Sequence, residues 1–306
     1  MTRWMQRLLG LVFVAAAAGL ATLSVVTWQR AQELISNPEA ARTLPAQTPR
    51  DYGLSYRDVT VRTADGLTLA GWWIPPVNGA VVIAQHGYKA NRGEMLNEAA
   101  MLHAHGYGVL VTSVRAHDRS EGDVITFGAR EMLDFEAWFT FARTQFGVNP
   151  DRVALLGNSM GGTMAIQFAA RTPAVRGVIA NSAFSSLEDT VETSVRFFTG
   201  LPPFPFAPMI MFWAERQAGF SATAIDAKRW IAQISPRPVL LMQGGNDVVI
   251  SPDSGQRLFA AAREPKELWS EPDVRHTAFD TALPAEYERR VVAFLRGAFE
   301  KRPRVP

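Results

Sequence analysis

The chain has 306 residues, 47% of them hydrophobic and 20% charged, which suits one or two domains with a buried core and excludes an intrinsically disordered protein. The net charge of +2 originates at the amino terminus, where Arg3, Arg7 and Arg30 stand without an acid and leave 28 basic against 29 acidic residues beyond, so a basic nucleic-acid-binding face is excluded. With no cysteine, structural disulfides, thiol catalysis and Cys-ligated zinc are excluded too.

Between Arg7 and Arg30 lie 22 uncharged residues, 8–29. As a helix they would extend about 33 Å, enough to cross a hydrocarbon core. Trp4 and Trp28 stand at the two ends, where indole rings favour the headgroup level. Arg3 and Arg7 precede the stretch, and Arg30 is offset by Glu33 and Glu39, so the positive-inside bias places the amino terminus in the cytoplasm and the body outside. The alternative is a cleaved signal peptide, with Ala16-Ala17-Ala18 or Gly19-Leu20-Ala21 as processing sites. Either reading of residues 1–29 exports the body. Residues 30–50, polar and carrying Pro38, Pro45 and Pro49, read as a linker.

Residues 56–62 and 67–74 flank Ala64-Asp65-Gly66 and predict an antiparallel hairpin. Beyond it, the short apolar runs 80–84, 109–114, 153–156, 175–180 and 239–242 lack alternation, as strands covered on both faces do. A further strand is predicted at 267–270. Helix-like segments at 92–105, 129–146, 160–170 and 286–300 separate most of them, the last amphipathic through Val291, Phe294, Leu295 and Phe299. This alternation predicts an α/β fold, a doubly wound and mostly parallel sheet built from residues 51–182 and 234–306. Residues 183–233 interrupt the rhythm. Phe197, Phe198, Phe204, Phe206, Met211 and Phe212 crowd there around prolines, which predicts a cap over a ligand pocket, with a membrane-facing lid as a variant.

Gly157-Asn158-Ser159-Met160-Gly161-Gly162 follows the run 153–156 and precedes a helix-prone stretch, the pattern of a nucleophile elbow. A serine hydroxyl is a weak nucleophile, so it needs an adjacent base and a backbone that exposes Oγ. On such a turn the partners follow in the order Ser, acid, His. His86, His103, His105 and His117 all precede Ser159, which leaves His276 as the base. Asp247 follows the run 239–242 through Gln243-Gly244-Gly245-Asn246 and is the first choice of acid; Asp253 and Asp273 are alternates. Acyl transfer also needs donors for the oxyanion. The N–H of Met160 is one, and the loop Gln85-His86-Gly87-Tyr88-Lys89 offers the second at Tyr88, with His86 ordering the loop by hydrogen bonds.

His103 and His105, two apart, point to different faces of a helix and are not a metal pair. No other spacing suits a metal and no glycine loop suits a phosphate, so neither metal nor cofactor is expected.

Together these residues resemble the α/β-hydrolase superfamily, in particular serine aminopeptidase-like and esterase-like members that are exported and membrane-anchored. The likeness covers roughly residues 55–300. It includes the His86-Gly87 loop and the segment Ser113-Val114-Arg115-Ala116-His117-Asp118-Arg119-Ser120-Glu121-Gly122, which is similar to the family's Asp-x-Arg-Gly-His-Gly-x-Ser-x-Gly stretch. Ser113, Ala116 and Asp118 depart from that pattern, and Arg275 replaces the usual glycine before the histidine. The expected activity is carboxylic ester hydrolysis by a serine triad on a small-molecule substrate, with peptide or amide cleavage as the alternative. A tethered binding protein without turnover and a lid enzyme working at the bilayer are the remaining readings. No protein partner is inferable.

Overall fold

The structure is a computed structural model, and it describes residues 3–300. It opens with α1 (Arg3–Ile35), a single helix long and apolar enough to cross a membrane, with a mean hydropathy of 2.3 in its most apolar window. Strands β1 (Arg57–Arg62) and β2 (Thr68–Ile74) form the expected hairpin, and Gly66 turns it at φ 92°. The chain then alternates through β3 (Val81–Gln85), α2 (Leu96–Ala104), β4 (Gly108–Thr112), α3 (Glu131–Thr144), β5 (Val153–Asn158), α4 (Met160–Arg171) and β6 (Val175–Asn181). Three helices follow, α5 (Leu187–Thr199), α6 (Pro203–Ala218) and α7 (Ala227–Ile231). The sheet resumes with β7 (Val239–Gly244), α8 (Asp253–Ala261), β8 (Lys266–Glu271), α9 (Phe279–Ala282) and α10 (Pro284–Glu300).

The eight strands lie in the order β1-β2-β4-β3-β5-β6-β7-β8, antiparallel across β1, β2 and β4 and parallel from there on. Every residue of β3, β4, β5 and β7 is buried, which is why these runs show no alternation. One face of the sheet packs Phe135 and Trp138 of α3 with Met164 and Phe168 of α4; the other packs Leu102 of α2 with Val291, Leu295 and Phe299 of α10. The strand order reverses at β3, which has β4 on one side and β5 on the other. Ligands of open α/β sheets gather beyond the carboxyl ends of the strands at such a point, and the loop after β3 and the turn after β5 both emerge there.

Three segments differ from expectation. The helix expected at 92–105 starts as a 3₁₀ turn, Arg92–Met95, because the Asn91 side chain accepts the Gly93 N–H at 2.8 Å and tightens the first turn. Residues 30–50, expected as a linker, are tied to the body. Arg30 to Ile35 complete α1, Ser36 pairs with Val124, and Asn37 Nδ2 donates to the Ala116 carbonyl at 2.6 Å. Arg42 donates to the Ser120 carbonyl at 2.6 Å and also to that of Gly122. Composition cannot reveal this, since each partner is about 80 residues away in sequence. Within 183–233, α5 and α6 pack on each other beside the end of the sheet that carries Ser159, whereas α7 packs on α4 and α8 as an ordinary layer helix.

Candidate active site

Ser159 sits between β5 and α4 with φ 54° and ψ −119°, a strained conformation for a residue with a Cβ. Two glycines make the turn sterically feasible. A Cβ on Gly157 would lie 2.3 Å from the Gly161 carbonyl carbon, and one on Gly161 would lie 2.4 Å from the Gln85 carbonyl oxygen. The backbone is held by Ser159 N–H donating to the Asn181 carbonyl at 2.8 Å.

Asp247 and His276 come together at the cavity that Ser159 and His276 both line. His276 Nδ1 lies 2.7 Å from Asp247 Oδ2, while Asp247 Oδ1 accepts the backbone N–H groups of Val249 and Ile250, both at 2.9 Å. Gln243 Nε2 donates to Oδ2 at 3.2 Å. With its other acceptor sites filled and its side chain buried, the carboxylate can aim only at the imidazole. The two loops meet closely because Gly244 and Gly245 carry no Cβ; one on Gly244 would fall 2.2 Å from the Val274 carbonyl oxygen and one on Gly245 2.7 Å from Pro272 Cα. On the other side of His276, Thr277 N–H donates to Ser182 Oγ and Asn181 Nδ2 donates to the Thr277 carbonyl, both at 3.0 Å. The alternates Asp253 and Asp273 are exposed, the first at the start of α8.

The N–H of Met160 opens α4 and is among the four that a helix leaves without an internal acceptor. Opposite it runs the loop after β3, so close that a Cβ on Gly87 would lie 3.3 Å from Ser159 Cβ. This loop is fixed at several atoms. His86 Nδ1 donates to the Gly87 carbonyl at 2.8 Å, and His117 Nε2 accepts the Lys89 N–H at 3.0 Å while its Nδ1 donates to the Arg115 carbonyl at 2.8 Å. Burial pushes the His86 imidazole down to about 4 and, helped by His86, that of His117 down to about 3, so both stay neutral, as the Lys89 N–H bond to His117 Nε2 requires of that ring. Ala116 and Asp118, which stand where the resemblance has glycine, adopt φ 60° and 49° all the same. Arg92 Nε holds the Asp118 carboxylate at 2.5 Å, and Asp134 and Asp65 hold Arg115 at 2.6 and 2.7 Å.

A residue missed in the sequence, Glu94, links the two halves. Its Oε2 accepts the Gly87 N–H at 3.0 Å and its Oε1 accepts from Asn158 Nδ2 at 3.2 Å, joining the loop after β3 to the residue before Ser159. Burial raises the Glu94 pKa, opposed by the Gly87 and Asn158 bonds. No local signal marks it: a Glu in the first turn of a helical segment is ordinary.

Ser159, Met160, Tyr88 and His276 all face one cavity of about 300 Å³. Its walls are largely apolar, from Phe127, Phe184, Val191, Phe198 and Ile250 among others, and two come from α1, Arg30 and Leu34. Among the described residues no cluster of His, Asp and Glu has the form of a metal site.

Sheet order, elbow and site together define an α/β-hydrolase. Solved structures agree: the Pyrococcus furiosus esterase Pf2001 superposes with a TM-score of 0.73 at 26% identity, covering 87% of this chain and 98% of that one. The family profile described as X-Pro dipeptidyl-peptidase (S15 family) matches residues 40–200, more than half of the chain, and the chain belongs to that family. Among curated proteins it is 28% identical over 269 residues to Rv2307c of Mycobacterium tuberculosis, spanning 86% of this chain and 87% of that protein. It is 27% identical over 253 residues to YfhR of Escherichia coli K12, spanning 80% and 82%. The chain is thus a hydrolase of the α/β fold.

Proposed function

We propose that the protein is a serine hydrolase that cleaves carboxylic esters with a moderately apolar acyl group, by acyl transfer through Ser159, His276 and Asp247. The observation that carries the reading is the 2.7 Å contact of His276 Nδ1 with a fully engaged Asp247, on a histidine that shares its cavity with a strained Ser159. Asp247 keeps the proton on Nδ1, which leaves Nε2 free to take the Ser159 proton as Oγ attacks the carbonyl carbon. The N–H groups of Met160 and Tyr88 receive the oxyanion. Collapse of the tetrahedral species breaks the ester bond, and His276 returns the proton to the departing alkoxide. Water, deprotonated by the same imidazole, then releases the acid and restores Ser159.

An ester is favoured over a peptide by what lines the cavity. A peptidase acting at an amino terminus uses carboxylates to hold the α-ammonium, and among the described residues the one acid lining the cavity is Glu94, a single buried carboxyl that already ties the Gly87 N–H to Asn158 Nδ2. Peptide cleavage remains the second reading, favoured by the description of the family itself. α1 is read as an anchor that keeps the body on the exported face of a membrane, supported by its hydropathy and by Arg3 and Arg7 before the apolar run. The test is a panel of p-nitrophenyl esters of increasing acyl length beside X-Pro anilides. Turnover of the esters alone is expected; turnover of the anilides alone would replace the first reading with the second.

A further inference from the structure

The cavity and the apolar helix meet at one level of the molecule. Residues 3–22 of α1 are exposed on every side, and the uncharged stretch 8–29, about 33 Å at the helical rise, matches a hydrocarbon core. From Leu23 onward the helix docks: Thr27, Ala31 and Ile35 are buried at a spacing of four, α6 packs alongside, and Gln217 Nε2 donates to the Trp28 carbonyl at 3.2 Å. Trp28 marks the headgroup level. Arg30 and Leu34, which line the cavity, lie two and six residues further on, about 3 and 9 Å along the axis.

The relation is rigid. The Leu34 carbonyl accepts from Tyr88 Oη at 2.6 Å and the Glu33 carbonyl from Lys89 Nζ at 2.7 Å, so the last turn of α1 is bonded to the very loop that faces Ser159. The Tyr88 ring lies 5.4 Å from that of Phe198, and Phe197 and Phe198, both cavity-lining, are each 51% exposed. Aromatic rings half in solvent beside a spanning helix suit a headgroup boundary.

We infer that the substrate is a lipid ester resident in the bilayer. One acyl chain passes from the membrane between the last turns of α1 and the Phe197–Phe198 rim into the apolar cavity, and the ester carbonyl stops at Ser159. The cavity of about 300 Å³ holds the part of one chain next to the carbonyl, so the rest of the lipid stays in the bilayer. Hydrolysis consumes one water, breaks the acyl C–O bond, and leaves a free fatty acid and the lipid alcohol. The inference rests on the reading of Ser159 as nucleophile and of α1 as anchor.

The test uses the full chain reconstituted in phosphatidylcholine vesicles, with dioleoylglycerol in the same vesicles or in separate, protein-free ones, and p-nitrophenyl acetate as the dissolved ester. Dioleoylglycerol is expected to be cleaved roughly tenfold faster or more in the shared bilayer, where its effective concentration at the cavity is highest. Equal rates from the two kinds of vesicle, or cleavage of p-nitrophenyl acetate alone, would overturn the inference and leave the hydrolase reading standing. Cleavage of neither ester would remove the hydrolase reading itself. A second arm inserts seven helix-forming residues between Thr22 and Leu23, which lifts the body by about 10 Å and nearly preserves the docking face. Loss of dioleoylglycerol cleavage with p-nitrophenyl acetate cleavage retained is expected; retention of both contradicts the inference. If the insertion abolishes both through misfolding, the shared-versus-separate comparison on the wild-type chain decides.

Discussion

Replacing Asp247 by Asn probes the site most sharply, because the carboxylate has four identified donors around it. The two backbone donors, Val249 and Ile250 N–H, converge on Oδ1, which the amide oxygen of Asn can replace. Its NH₂ must then occupy the Oδ2 position, facing Gln243 Nε2 at 3.2 Å and His276 Nδ1 at 2.7 Å, both donors to the native carboxylate. The imidazole relieves one conflict by moving its proton to Nε2, the nitrogen that has to accept the Ser159 proton. The expected loss in kcat is about 10⁴-fold, or about 5 kcal/mol of transition-state stabilisation. Gln243 Nε2 loses its bond to Oδ2 and keeps only the 3.4 Å bond to the Gly244 carbonyl, so unfolding free energy should fall by about 1–3 kcal/mol. Initial rates on p-nitrophenyl butyrate, with urea denaturation beside them, read both numbers. Asp253→Asn and Asp273→Asn, at exposed positions, should leave the rate nearly unchanged. A kcat for Asp247→Asn close to that of wild type, or a collapse in either control, would refute the assignment of the acid.

Other residues make independent predictions. Burial raises the Glu98 carboxyl from its ordinary 4.5 to about 8, and one of its oxygens has no hydrogen-bond partner among the described residues. The folded state therefore holds a proton that the unfolded state gives up, so this group's contribution is fully present below pH 4.5 and is lost as pH rises towards 8, by roughly 4 kcal/mol. Glu98→Gln should raise the melting temperature at pH 9 relative to wild type and change it little at pH 4; an unchanged difference between the two pH values contradicts the account. Tyr88→Phe removes the 2.6 Å bond to the Leu34 carbonyl and should cost about 1 kcal/mol in denaturant unfolding, with a lower kcat as the loop loosens. Gly297, in α10, has nothing within 4 Å of where a Cβ would stand, so Gly297→Ala should stabilise by up to about 1 kcal/mol without touching activity. Along a p-nitrophenyl ester series, each added CH₂ should raise kcat/KM by at most about fourfold until the cavity is filled, from about 0.8 kcal/mol per buried methylene.

The strands were legible because a run such as Val153-Ala154-Leu155-Leu156 is buried on both faces and cannot alternate. Ser159, Asp247 and His276 were readable as candidates because chemistry restricts their order and each follows a strand. Contacts between distant segments left no such trace. Glu94 acts through Gly87 and Asn158, the latter 64 residues away, and Tyr88 reaches Leu34 across 54 residues; no local pattern marks either pair. The need for glycine at 244 and 245 is steric and arises from Pro272 and Val274 on another loop, so it has no local trace either. Residues 30–50 misled most. Their composition is that of a linker, but Asn37 and Arg42 find carbonyl groups on the segment 116–122, and this docking carries α1 to the rim of the cavity.

The central claim is that Ser159 is the nucleophile, and covalent labelling tests it most directly. The purified chain is treated with a fluorophosphonate and the modified peptide is identified by mass spectrometry. One adduct per chain is expected, on Ser159, lost in Ser159→Ala and strongly slowed in His276→Ala. An unlabelled wild-type protein, or an adduct that persists in Ser159→Ala, would contradict the claim.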